Sequence, residues 1–133
     1  MIPPFDHSGC LPPGLHGAAL GEVEGRFGRQ SELRHVQMES VRWMVELAVR
    51  AGVQRIVLNG SFVTDIMEPN DVDCVLLVGS DFPKDPIAEK ELLKGLPFID
   101  IALARQADFD EFVGEVFAAD RLGSPKGMIE LIT

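Results

Sequence analysis

Residues 57–78 read Val-Leu-Asn-Gly-Ser-Phe-Val-Thr-Asp-Ile-Met-Glu-Pro-Asn-Asp-Val-Asp-Cys-Val-Leu-Leu-Val. The pattern predicts a strand, a Gly-Ser turn, a short connection and a second strand that opens with Asp71-Val72-Asp73. Side chains two apart on a strand project from one face. Asp71 and Asp73 therefore share a face, and Val72 and Cys74 point into the fold. Two carboxylates beside an apolar run make a candidate metal site. Hard divalent ions take oxygen ligands, and phosphate chemistry often uses two such ions roughly 3.5–4 Å apart. Gly60 and Ser61 end the preceding strand. A backbone without Cβ, a hydroxyl and the first N–H groups of a helix suit phosphate oxygens.

A third acid extends the pattern. Residues 97–103, Pro-Phe-Ile-Asp-Ile-Ala-Leu, predict another short apolar strand with Asp100 in its middle. An unpaired carboxylate buried there is costly. Beside Asp71 and Asp73, Asp100 has a role: sharing a cation, or accepting a proton from an attacking hydroxyl.

Gly60-Ser61, then Asp71-x-Asp73, then a lone Asp100 on its own strand resembles the nucleotidyltransferase fold of the DNA polymerase beta superfamily. The chain is also similar to small bacterial nucleotidyltransferase-like proteins. That likeness spans most of the chain and rests on Leu11-Pro12-Pro13-Gly14, Gly60-Ser61-Phe62-Val63-Thr64, Pro69-x-Asp71-x-Asp73 and Lys126-Gly127. The resemblance implies that Gly60 and Ser61 contact a nucleoside triphosphate. It implies that Asp71, Asp73 and Asp100 bind Mg²⁺ (or Mn²⁺), with Asp100 helping to activate an acceptor hydroxyl on a protein or RNA. There is one departure. Minimal members of the superfamily carry Arg-Gly shortly after Gly-Ser, and here that stretch is Phe62-Val63-Thr64-Asp65-Ile66-Met67, with an acid and no base. A second implication is therefore a nucleotidyltransferase-like interaction module with little or no catalysis, such as a toxin–antitoxin component.

At 133 residues the chain reads as one domain, residues 17–133, preceded by an extended arm over residues 1–16. No apolar run approaches the ~20 residues of a membrane span, so no membrane partner is expected. The N-terminus has no basic segment followed by an apolar one, so no secretory signal is expected. Cys10 and Cys74 are far apart, and a reducing, cytoplasmic setting without a disulfide is the expectation.

The net charge of −9 is unevenly spread. Residues 1–60 carry six basic and six acidic side chains, and residues 61–133 carry six basic and fifteen acidic ones. That excludes broad binding to a nucleic-acid backbone, which needs Lys and Arg facing phosphate. It suits a cation-charged acidic pocket, an ordinary solvated surface or a basic protein partner.

The remaining elements read as follows. The Pro- and Gly-rich arm cannot form a regular helix. His7, Cys10 and His16 fit no zinc spacing and lack a fourth ligand. Residues 18–27 predict a short helix. Ser31 caps a longer one to about Arg50, stopped at Gly52, with Leu33, Val36, Val41, Met44, Leu47 and Ala48 as its apolar side. Arg34, Arg42 and Arg50 are expected on its solvated side. Asp85-Pro86 starts a helix ending at Gly95. Asp108 and Glu111 suggest a capping box for a helix through about residue 118, with Phe109, Phe112, Val113, Val116 and Phe117 as its apolar face. Residues 128–132 predict a terminal strand at the sheet edge. The Asp65–Asp73 stretch lacks the spacing and central Gly of a calcium loop. The fold class expected is α/β (α+β): a small mixed sheet of about four strands with helices packed on it.

Overall fold

The computed structural model of the chain describes residues 1–116 and 126–133. The chain runs β1 (Gly14–Ala19), α1 (Leu20–Phe27), α2 (Glu32–Ala51), β2 (Arg55–Asn59), a 3₁₀ turn (Ser61–Val63), β3 (Val72–Leu77), α3 (Pro86–Lys94), β4 (Ile99–Ala104), α4 (Gln106–Glu111) continuing as a π turn (Phe112–Val116), and β5 (Gly127–Ile132). The strands form one open mixed sheet in the order β1-β5-β2-β3-β4. β1 pairs parallel with β5, and β3 parallel with β4. β2 is antiparallel to both its neighbours.

The α+β class is therefore as expected, with five strands instead of four. The additional strand is β1, which takes the last residues of the predicted arm. Its sequence Gly-Leu-His-Gly-Ala-Ala has two glycines and little β-branched content, so it shows no strand signal. Because β1 adds outside β5, the terminal strand is internal and not at the edge.

Alternation along the strands divides the residues between two faces. One face carries Ile56, Leu58, Val72, Cys74, Leu76, Ile129 and Leu131, which build the main core with Val41, Met44, Ala48 and Leu92 of the helices. The other carries Val57, Val75, Leu77 and Met128, which pack a smaller cluster with Phe109, Phe112 and Val113. The bidentate Arg55–Glu130 pair flanks that cluster, with both N···O distances at 2.7 Å.

Local signals explain most helix ends. The Ser31 hydroxyl accepts from the Arg34 amide, and the Asp85 carboxylate accepts from the amides of Ile87 and Ala88. Two expectations fail. α4 starts at Gln106 behind Arg105, which gives no side-chain cap, so Asp108 lies in the first turn and not at the cap. Its acid still suits the positive end of the helix. The side chains of Val116 and Phe117, with the predicted helix end at residue 118, lie outside the described residues. On α2 the buried stripe includes Arg34 and Gln37 beside Met38, Val41 and Met44, while Val36 and Trp43 are exposed. Arg34 is therefore not solvated; it is 2% exposed.

The arm is ordered against the body. Leu11 is fully buried, Cys10 bridges to Thr64, and the Gly127 amide donates to the Leu11 carbonyl. A Cβ at Gly127 would collide with the Pro12 carbonyl, which accounts for glycine where β5 meets the arm. Both cysteines are free. No described helix is long and apolar enough to cross a membrane.

Candidate functional site

The segment joining β2 to β3 buries Phe62 and Val63 in the main core but has no regular structure beyond its 3₁₀ turn. One side of α2 holds it. Ser31, Arg34 and Gln37 follow each other at three-residue steps, so they form one stripe. The Ser31 hydroxyl donates to the Met67 carbonyl, and the Gln37 amide to the carbonyls of Pro69 and Asn70. Arg34 does most. Its guanidinium donates to the carbonyls of Phe27, Ser61, Phe62, Thr64 and Ile66 at 2.5–3.4 Å. Burial pushes its pKa below the usual guanidinium range, and Asp65 partly offsets this. The turn after Gly60 is thus wound around a buried cation.

Gly60 has φ +83°, a conformation that favours glycine. A Cβ there would also collide with the Asp73 carboxylate. The carboxylate therefore lies against the bare backbone of the Gly-Ser turn. Gly60→Ala is expected to cost about 1–3 kcal/mol from backbone strain alone, read as a lower urea midpoint; an unchanged midpoint contradicts this geometry.

The strand register decides which acids meet. Asn59 lies opposite Asp73 across the β2–β3 ladder, and Asp73 lies opposite Asp100 across the β3–β4 ladder. Residues opposite one another share a face, with neighbouring strands about 4.8 Å apart. Asn59, Asp73 and Asp100 therefore form a row across three strands, on the face of Val57 and Val75, beyond the smaller apolar cluster. Asp73 is half-buried and Asp100 exposed. Burial, then the Asp100 charge, hold the Asp73 carboxyl above its ordinary pKa; Asp71 adds to the rise and Lys126 opposes it. Asp71, exposed just before β3, thus acts on Asp73 through its field. Among the described residues no group of three or more His, Cys, Asp or Glu side chains is set to close around one metal ion. The paired acids are Asp73 and Asp100.

Four contributors were given no site role by sequence reasoning. Asn59 is 5% exposed, and its Oδ1 has no hydrogen-bond partner among the described residues. Its position two residues after Val57 on one strand was the available signal. Lys126 is the cation whose charge acts on Asp73; its number belongs to the quoted Lys-Gly pair, but nothing in the spacing reveals where β5 begins. Arg34 was expected to be solvated, and the carbonyls that bury it come from a distant segment that no helical spacing reveals. Phe98 sits at φ +64°, an outlier for a bulky residue. Its carbonyl accepts from the Val72 amide at 2.7 Å, which ties the residue ahead of Ile99-Asp100 to the start of β3.

The Gly-Ser turn continues as three residues of 3₁₀ helix, not as an α-helix with a useful dipole. The Ser61 carbonyl is occupied by Thr64 and Arg34. Its hydroxyl makes no hydrogen bond among the described residues.

The family model for a family of unknown function, DUF6932, matches residues 3–132. The chain belongs to that family. No curated protein and no solved structure matches the chain.

Proposed function

We propose that this protein is a metal-dependent nucleotidyltransferase-like enzyme that moves a nucleoside monophosphate from a nucleoside triphosphate to an acceptor hydroxyl. The observation that carries the reading is the register Asp73↔Asp100 beside Gly60. Two like charges in one row, one of them half-buried, are unfavourable without a cation. Mg²⁺ is commonly held by one or two carboxylates, with water and substrate phosphate completing its shell. Asp73 and Asp100 fit that role, and Asn59 Oδ1 is a further oxygen on the same face. Bound there, Mg²⁺ or Mn²⁺ supplies charge neutralisation for the phosphate.

The chain's own groups do the rest. The Gly60 backbone lets phosphate approach closely, the free Ser61 hydroxyl donates to a phosphate oxygen, and Lys126 adds the positive charge that the segment after Gly-Ser lacks. Asp71 strengthens the negative field. Asp100, exposed at the end of the row, accepts the proton of the acceptor hydroxyl. The acceptor oxygen forms a bond to the α-phosphorus as the bond to the β-phosphate oxygen breaks and pyrophosphate leaves. Catalysis of this kind is mainly positioning and charge stabilisation. A cytoplasmic setting belongs to the same reading, supported by two free cysteines.

The test is incubation with each NTP labelled at the α-phosphate, with Mg²⁺ or Mn²⁺, alone and with cell extract. Label on a macromolecule is expected. No label from any NTP, or equal transfer of γ-label, contradicts the proposal. A second reading, an inactive interaction module such as a toxin–antitoxin component with a basic partner, is favoured by one observation. Arg34, the arginine nearest the Gly-Ser turn, is committed to carbonyls and free for no phosphate. Co-purification with a partner and no nucleotide binding by calorimetry would support that reading.

A further inference from the structure

The sheet ends in two edges. At β1 the Met1 amino group donates to the Gly17 carbonyl and covers part of the edge. The β4 edge differs. The Phe98 carbonyl accepts from Val72, and the Ala104 carbonyl accepts from Val78. In a parallel ladder this phase turns Asp100, Ala102 and Ala104 toward β3 and the alternate residues outward. The Ile99 amide is folded back onto Leu96. The amide and carbonyl groups of Ile101 and Leu103 remain open on the outer side, among the described residues. Exposed edges are usually blunted by Lys, Pro or a bulge. β4, Ile-Asp-Ile-Ala-Leu-Ala, has no Lys, Pro or bulge, and its one charge, Asp100, lies on the face of α4.

The two flanks of this edge differ in chemistry. On the main-core face, half-buried Ile99, Ile101 and Leu103 join Leu92 and Leu93 of α3 and Gly95 just beyond its end around a groove of about 320 Å³. Leu93 is 62% exposed. On the opposite face, exposed Asp100 is followed by α4 with exposed Asp108, Asp110 and Glu111; the cations described there are Arg105, Lys126 and Arg55, the last already paired with Glu130.

We propose that β4 is the docking edge for an extended segment of a basic partner protein, which joins the sheet as a sixth strand. Alternate apolar residues of that segment fill the α3–β4 groove, and the intervening Lys or Arg residues lie beside Asp100 and the acids of α4. Main-chain hydrogen bonds supply affinity and alternate side chains supply specificity in this mode. Charge selects the occupant. A second copy would set another acidic flank beside the first, in a chain of net charge −9, and like charges across a strand pair are unfavourable. The inference rests on the open backbone of Ile101 and Leu103 and on the α3–β4 groove, and the acids of α4 keep its charge preference whether or not Asp100 holds a cation.

The probe is an acetylated, amidated heptapeptide alternating Val and Lys, titrated into ¹⁵N-labelled protein, with a Val/Glu peptide as control. Amide signals of residues 92–95 and 99–104 are expected to shift, and the Ile101 and Leu103 amides to become protected from exchange. The Glu peptide is expected to bind at least about tenfold more weakly. Leu103→Lys is expected to abolish binding. Leu93→Lys, on the exposed side of α3 and outside the sheet, is expected to weaken it with the fold intact. Shifts elsewhere, equal binding of both peptides, or undiminished binding by folded Leu93→Lys would overturn the proposal. So would a solution dimer formed through β4.

Discussion

Arg34→Ala is expected to lose about 3–5 kcal/mol of stability, the scale of breaking a buried charged network. For a chain of this size that lowers the melting temperature by roughly 10–20 °C. The guanidinium serves the carbonyls of Phe27, Ser61, Phe62, Thr64 and Ile66. An abandoned buried acceptor costs about 1–3 kcal/mol. Water entering the vacated space serves some of them, which keeps the total below the sum. Arg34→Lys is expected to recover less than half of the loss, because one ammonium cannot span carbonyls arranged around a planar fork. Urea melts of the three proteins check this. A loss under about 1 kcal/mol for Arg34→Ala would show that the Gly-Ser turn does not depend on α2.

Asp73→Asn is expected to move stability and activity in opposite directions. Burial and the Asp100 charge raise the folded-state pKa of Asp73. In the unfolded chain the group ionises in the ordinary range. Between the two values the folded state holds more protons, so stability falls as pH rises through the folded pKa. The favourable contribution is complete only below the unfolded value and is gone above the folded one. Without metal, Asp73→Asn is therefore expected to melt higher than wild type at neutral pH, with the difference vanishing in acid. Nucleotide transfer is expected to fall at least about a thousandfold, as when a charge-stabilising group is removed from a phosphoryl-transfer site. Asp100→Asn is expected to lose transfer to a similar extent. A variant that melts lower at neutral pH, or that keeps its transfer rate, contradicts the assignment.

Much of this geometry was legible before any coordinates. Period-two alternation put Cys74 inside and Asp73 on the other face, and the lone acid in an apolar strand marked Asp100 as a companion. The side-by-side meeting of Asp73 and Asp100 was an expectation of the resemblance and not of any local pattern, because strand order depends on which edges pair. β1 concealed itself behind two glycines, and without it β5 looked like an edge. Arg34 was misread because a helical arginine is usually solvated. Its burial follows from carbonyls more than twenty-five residues away, beyond any local pattern. Lys126 and Asn59 joined the acid row only through the β2–β3 register and the start of β5.

Titration with Mn²⁺, followed by the electron paramagnetic resonance signal of the free ion, tests the acidic row most directly. The wild-type protein is predicted to take up Mn²⁺, more tightly with a nucleoside triphosphate present, and Asp73→Asn is predicted to take up little. Equal uptake by the two proteins, or none by the wild type with nucleotide added, would contradict the account.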